Sequence, residues 1–241
     1  MKKLMFLVVV ASVLLSSCKP MYVPNLRNSP LFGKQGEFQG SVQVGNGIEG
    51  QAAFAVTNHI GLIANYSYIN NTESEESTDY HRHRFYEGGI GYYNNSEDLV
   101  FEFFTGYGKG EGSSYESFFF SGSQPVQATG LYERYFFQPA FGFNKKIFHL
   151  SVATRVSVVD FTEFDYGSGH IPDDRPAIVF FEPAVTGRVN MMNNHLFYVF
   201  QTGFSTPVGQ EKYFDHRGLQ ISMGMGFRLG GRKSGETPPT R

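Results

Sequence analysis

The chain has 241 residues and a formal charge of −2, a balance that excludes the basic face a nucleic-acid partner needs. Aromatic residues make up 16% of it, with 25 Phe and 14 Tyr but no Trp, more than a soluble core of this size calls for. Its single cysteine, Cys18, excludes an internal disulfide.

Residues 1–17 read as a secretion signal. Lys2 and Lys3 precede an apolar run, 4–15, that is too short to span a bilayer as a helix and is flanked like a cleaved signal. Leu15-Ser16-Ser17-Cys18 resembles the bacterial lipobox, which implies cleavage before Cys18 and acylation of that residue. By the same resemblance, Lys19 after the cysteine favours the outer membrane, and several acyl chains give a stable anchor.

Residues 18–35 read as a tether, because Pro20, Pro24 and Pro30 with Asn25 and Asn28 discourage helix and ladder alike. A β-barrel is expected over 36–230. Its ten candidate strands are 36–45, 48–57, 59–69, 81–94, 98–109, 130–144, 146–161, 175–189, 195–206 and 217–229, each alternating apolar and polar side chains. Connections near Asn58, 94–97, 144–145 and 190–194 are tight and Asn-rich; those at 70–80, 110–129, 162–174 and 207–216 are long and polar. Short turns on one side and long loops on the other match an all-β, antiparallel, up-and-down transmembrane barrel with periplasmic turns and extracellular loops. An even strand count puts both termini on the short-turn side, with the Cys18 lipid in the inner leaflet. Residues 231–241, with Pro238 and Pro239, read as a disordered periplasmic tail.

The apolar face gathers Phe, Val, Ile and Leu, with Tyr66, Tyr68, Tyr92, Tyr107 and Tyr132 as candidate interface tyrosines. The polar face carries Glu, Arg and Gln between small residues and little Lys, a composition suited to a crowded interior. A soluble periplasmic lipid-binding barrel, with the faces reversed, is the competing reading. Pro139 and Pro183 fall mid-strand, where each is expected to mark a bulge.

In the last strand Ser222, Gly224, Phe227 and Leu229 resemble the signal by which outer-membrane barrels are recognised by their assembly machinery. The stretch 22–68 is similar to barrel lipoproteins of Bacteroidota-type bacteria, a resemblance that supplies no activity.

The chemistry-bearing residues are inward charges. Folding about Asn95 and Ser96 puts Glu87 opposite or beside Glu102, and folding about Asn144 and Lys145 puts Arg134 opposite Arg155, with Glu182 on the next wall. Two carboxylates in low dielectric repel unless arginines reach across, so a Glu–Arg network filling the lumen is expected, with Glu37 and Arg228 paired near the seam. A narrow solute channel lined by the same charges is the alternative. His81, His83, His170, Asp173, Asp174, Asp215 and His216 gather on the long-loop side, a weak case for a rim hydrolase; no cofactor or metal site is read from them. Phe118, Phe119 and Phe120 within 110–129, together with 70–80, form the surface expected to meet an extracellular partner.

Overall fold

The computed structural model describes residues 20–72, 80–96, 98–116, 126–145, 147–167, 169–170, 175–192, 195–209 and 213–230. The strands are β1 (Phe38–Val44), β2 (Ile48–Ala55), β3 (Ile60–Thr72), β4 (Tyr80–Ser96), β5 (Leu99–Glu116), β6 (Val126–Asn144), β7 (Phe148–Tyr166), β8 (Gly169–His170), β9 (Ile178–Met191), β10 (Leu196–Phe204), β11 (Thr206–Pro207) and β12 (Leu219–Leu229). Ten of them pair antiparallel in the order β9-β10-β12-β1-β2-β3-β4-β5-β6-β7, and β7 pairs with β9 to close the ring. The two-residue β8 and β11 pair antiparallel with β7 and β9 at the long-loop end. Closure leaves no free edge, which is how a sheet of this size avoids pairing with other chains.

Alternation decides which way each strand faces. Val42, Leu62, Ile90, Phe101, Phe137, Val152, Val185, Phe200 and Met225 point outward and are exposed, while Gln39, Gln51, Asn65, Glu87, Gln138, Arg155, Glu182 and Gln201 point inward and are buried. The polar face is therefore the lumen face, and the arrangement required of a soluble lipid-binding barrel is reversed. On β5 the outward apolar run from Leu99 to Tyr107 covers about 26 Å of strand, or roughly 20 Å of depth at a tilt near 40°. Tyr66 faces Tyr86 across β3 and β4, and Tyr107 packs on Tyr135 with ring centroids 5.0 Å apart. Beyond this row the outward face turns charged: Arg84 pairs with Glu111 and Lys109 with Glu133, both at 2.8 Å. The carboxyl of Glu133 is held below its ordinary range by hydrogen bonds from Lys109 and Tyr107. Tyr132 does not join the row; it points inward and stacks on Phe85.

Several expected boundaries move. Strands β3 to β7 run further toward the long loops than alternation suggested, so much of 110–129 and 162–166 is ladder. Phe118, Phe119 and Phe120 lie outside the described residues, as do 73–79 and the tail 231–241. The register shift falls between Leu131 and Tyr132, not at the prolines. It sets one more residue on β7, so that Phe161 and Phe164 both turn inward. Pro139 sits opposite Phe103 and Pro183 opposite Thr154 without a shift. The ladder between β10 and β11 breaks opposite Pro183, where a missing N–H leaves no bond unmade.

The largest departure concerns residues 20–33. The segment read as a tether is inside the barrel: Tyr22, Val23, Asn25, Leu26, Arg27, Asn28, Ser29, Leu31 and Phe32 are all buried. It enters at the long-loop end, where Tyr22 forms a parallel bridge with His216 and the Pro20 carbonyl lies 2.9 Å from His81 Nε2. It leaves at the short-turn end, where the Asn95 amide donates to the carbonyls of Phe32 (3.1 Å) and Gly33 (2.6 Å). Strand β1 then starts from that end. Strand β12 finishes there too, so the described chain begins at the end opposite its finish, in place of the expected common side.

Candidate functional site: the occupied lumen

An extended chain in a barrel brings its own unpaired backbone groups, each costly if buried without a partner. Here the wall side chains supply the partners. Glu49 accepts the Leu26 N–H at 2.7 Å and Glu102 that of Leu31 at 3.0 Å. Gln201 both accepts the Arg27 N–H (2.7 Å) and donates to its carbonyl (2.8 Å), the role a neighbouring strand would play. Gln138 donates to the Asn28 carbonyl, Gln39 to that of Pro30, and Arg188 to those of Ser29 and Pro30. Gln220 donates to the Pro24 carbonyl. The three prolines each remove a donor that the wall would otherwise have to satisfy. Leu31 adopts φ 50°, unusual for a branched side chain, and is held there from both sides: Glu102 takes its N–H, and Asn144 donates to its carbonyl at 3.0 Å.

The segment divides the lumen into three layers. Toward the long loops lies an aromatic layer, where Met21 and Tyr22 meet Phe85, Tyr132, Phe161, Phe164, Phe180 and Phe214. Phe214 arrives from the β11–β12 connection and packs 4.5 Å from the Phe161 ring, covering the mouth. Tyr213, the residue before it, packs against its ring with centroids 5.0 Å apart, its hydroxyl pushed up by burial. Toward the short turns a second apolar layer sets Phe32 against Ala53, Ala55, Ile63, Tyr93, Phe104 and Phe136.

Between them is the charged layer. Glu87 receives Asn25 Nδ2 and Asn65 Nδ2, each at 2.7 Å, pairs with Arg134, and has Arg155 Nη2 at 3.7 Å. Asn25 Oδ1 accepts from both arginines, so this one plug side chain ties the three charges together. Glu182 accepts from Tyr22 (2.8 Å), Ser157 (2.9 Å) and Ser205 (3.1 Å), while its carbonyl takes Arg27 Nε at 3.0 Å. The Arg134 guanidinium lies 4.2 Å from the centre of the Phe85 ring. Buried Glu–Arg pairs are thus present, though the threaded chain occupies much of the space that side chains alone were expected to fill.

Two expected juxtapositions are not found. Glu87 faces Gly108 and Glu102 faces Tyr93, so the two carboxylates sit at different depths, Glu102 on the plug's exit side. Arg134 faces Val159 and Arg155 faces Glu182. The β4–β5 and β6–β7 turns are centred two residues beyond the positions assumed, and each step shifts an opposing residue by two. Glu37 and Arg228 lie 3.0 Å apart at the short-turn end, next to His149 and Arg188. In β12, Ser222 points inward to Gln43 and Gly224 lies on the same face, while Phe227 and Leu229 point outward.

Three of the rim histidines have polar contacts within the fold. His81 and His83 face inward, His83 Nε2 lying 2.8 Å from the Tyr132 hydroxyl, and His216 Nε2 lies 3.2 Å from the Ser205 carbonyl. Among the described residues no group of three metal-ligating side chains occurs. Asp173 and Asp174 fall outside the described residues, as does the His170 side chain. Sequence reasoning missed Asn25, Arg27, Gln39, Gln138, Gln201 and Gln220 as parts of one site. Their signal was the excess of inward amides, groups that both donate and accept and so suit a backbone better than a charge. Comparison with protein-family models and with curated proteins returned no match.

Proposed function

We propose that the protein is a bacterial outer-membrane barrel lipoprotein, acylated at Cys18, with a structural or interaction role at its long-loop end. The observation that carries this reading is the outward apolar belt bounded by tyrosines and then charges, wrapped around a polar lumen that its own chain occupies. Isolated apolar side chains are normal on a soluble surface, but a belt running round the whole circumference needs lipid to cover it. Ser222 and Gly224 face inward while Phe227 and Leu229 face outward, which supports reading the four as an assembly signal. The plug supports a closed barrel over a solute channel, because the path along the lumen is filled by residues 20–33.

The test uses outer membranes from cells making the Cys18→Ser protein. After an alkaline carbonate wash the protein is expected to stay in the membrane and to change gel mobility on heating. Release by the wash with no heat shift defeats the reading. In planar bilayers the native protein is expected to be silent, and a variant lacking residues 20–31 to conduct; equal conductance from both favours the channel.

A further inference from the structure

Resting on the membrane reading, the direction in which residues 20–33 run has a consequence for the lipid anchor. His81 and Asn95 mark the two ends of the segment on one strand, β4. The fourteen steps between them cover about 46 Å of strand and roughly 35 Å of depth. Thirteen steps of nearly extended chain from residue 20 to residue 33 match that path, with no slack for a reversal. Both ends are fixed by backbone N–H donors, at the exit end to a side-chain carboxylate. Tyr22 N–H donates to the Asp215 carbonyl at 3.1 Å, Arg217 N–H donates to the Tyr22 carbonyl at 3.0 Å, and Gly33 N–H donates to Glu37 at 2.8 Å.

We infer that the mature N-terminus emerges on the same side as the long loops, so that the Cys18 lipid is held in the outer leaflet, at the cell surface. Cys18 precedes Pro20 by two residues, a reach of about 7 Å at most, whereas the short-turn side is roughly 35 Å away through a filled lumen. An inner-leaflet anchor and a threaded plug cannot coexist in one folded chain. The wall is low enough on one side for a lipid to reach the bilayer, since the β1–β2 hairpin is outwardly apolar up to Val44 and Ile48, the residues flanking its turn.

The experiment places an epitope between Lys19 and Pro20 of the acylated protein, with a second version tagged after Arg241. On intact cells antibody is expected to bind the first tag fully and the second only after the outer membrane is permeabilised. An N-terminal tag that is silent until permeabilisation overturns the inference. A second measurement guards against a tag that disturbs the plug. In Cys18→Ser protein, Tyr22→Cys and His216→Cys place two thiols at bridge partners, and the linked peptides are sought by mass spectrometry. Linkage is expected, and its absence in protein that still shows a heat shift overturns threading while leaving the membrane barrel intact. Linkage together with a buried N-terminal tag overturns the surface assignment and means the barrel is inserted the other way up.

Discussion

Substituting Glu87 by Gln tests whether the charged layer is held by its ion pairs or merely by packing. The carboxylate is fully buried, takes two amide donors at 2.7 Å and faces both Arg134 and Arg155. Gln keeps the volume, but it removes the carboxylate that ion-pairs with both guanidinium groups and turns one acceptor into a donor aimed at them. Breaking one side of a buried pair costs about 3–5 kcal/mol, far more than an exposed pair is worth. For a chain of this length that is about 6–20 °C at the midpoint, at about 2–4 °C per kcal/mol. The assay is the temperature at which the gel mobility shift of the refolded, detergent-solubilised barrel is half complete. Pairing the change with Arg134→Met is expected to recover part of the loss, since the double variant no longer buries the unmatched cation. A midpoint within about 2 °C of the native protein, under ~1 kcal/mol, refutes the reasoning and makes the layer a matter of shape.

Gly106→Ala is expected to impair barrel assembly, because a Cβ there falls 2.1 Å from the Gly88 carbonyl and 2.7 Å from the Phe136 ring; Gly50→Ala, with nothing within 4 Å, is expected to assemble normally, both read as yield of heat-shifting protein. Arg27→Met is expected to lower the midpoint by several degrees, at about 3–5 kcal/mol for an orphaned buried charge. Adding Glu49→Gln restores charge balance and is expected to recover part of that loss; no recovery from the second change means the two charges are not coupled. Glu133 titrates below an ordinary carboxylate in the native protein, so its folded-state contribution is present at neutral pH and fades as pH falls through its lowered value. In Lys109→Met its titration, followed by NMR, is expected to move up, with little change in stability because the pair is exposed.

The barrel was legible because its two faces differ so sharply where lipid is expected to meet it. Alternation failed where that contrast ends: beyond Tyr86 and Tyr107 the outward positions become Arg84, Arg82, Lys109 and Glu111, so both faces read as polar and the strands looked like loops. Register was harder, since a turn misplaced by two residues keeps every side chain on its proper face while sliding Glu87 away from Glu102. The plug was hidden for a different reason. A proline-rich extended segment has the same sequence whether water or a barrel wall surrounds it. What distinguishes 20–33 is Tyr22, Leu26, Leu31 and Phe32, apolar residues that a solvated spacer has no use for. The segment's partners, the six inward amides Gln39, Gln51, Asn65, Gln138, Gln201 and Gln220, are scattered over six strands.

Counting charges shows why plug and wall belong together. The described interior buries five glutamates, Glu37, Glu49, Glu87, Glu102 and Glu182, and five arginines, Arg27, Arg134, Arg155, Arg188 and Arg228. Only with Arg27, which the plug contributes, are the two equal; the wall alone has one carboxylate too many. An isolated buried charge is far costlier than a matched one, so the empty barrel would have to admit water or a counterion to offset the extra carboxylate. The amides follow the same logic. Left without the segment, Gln138, Gln201 and Gln220 lose their backbone partners, whereas with it they act as the neighbouring strand that an extended chain lacks. The wall is built to the chemistry of one peptide, and that peptide is the start of the same chain.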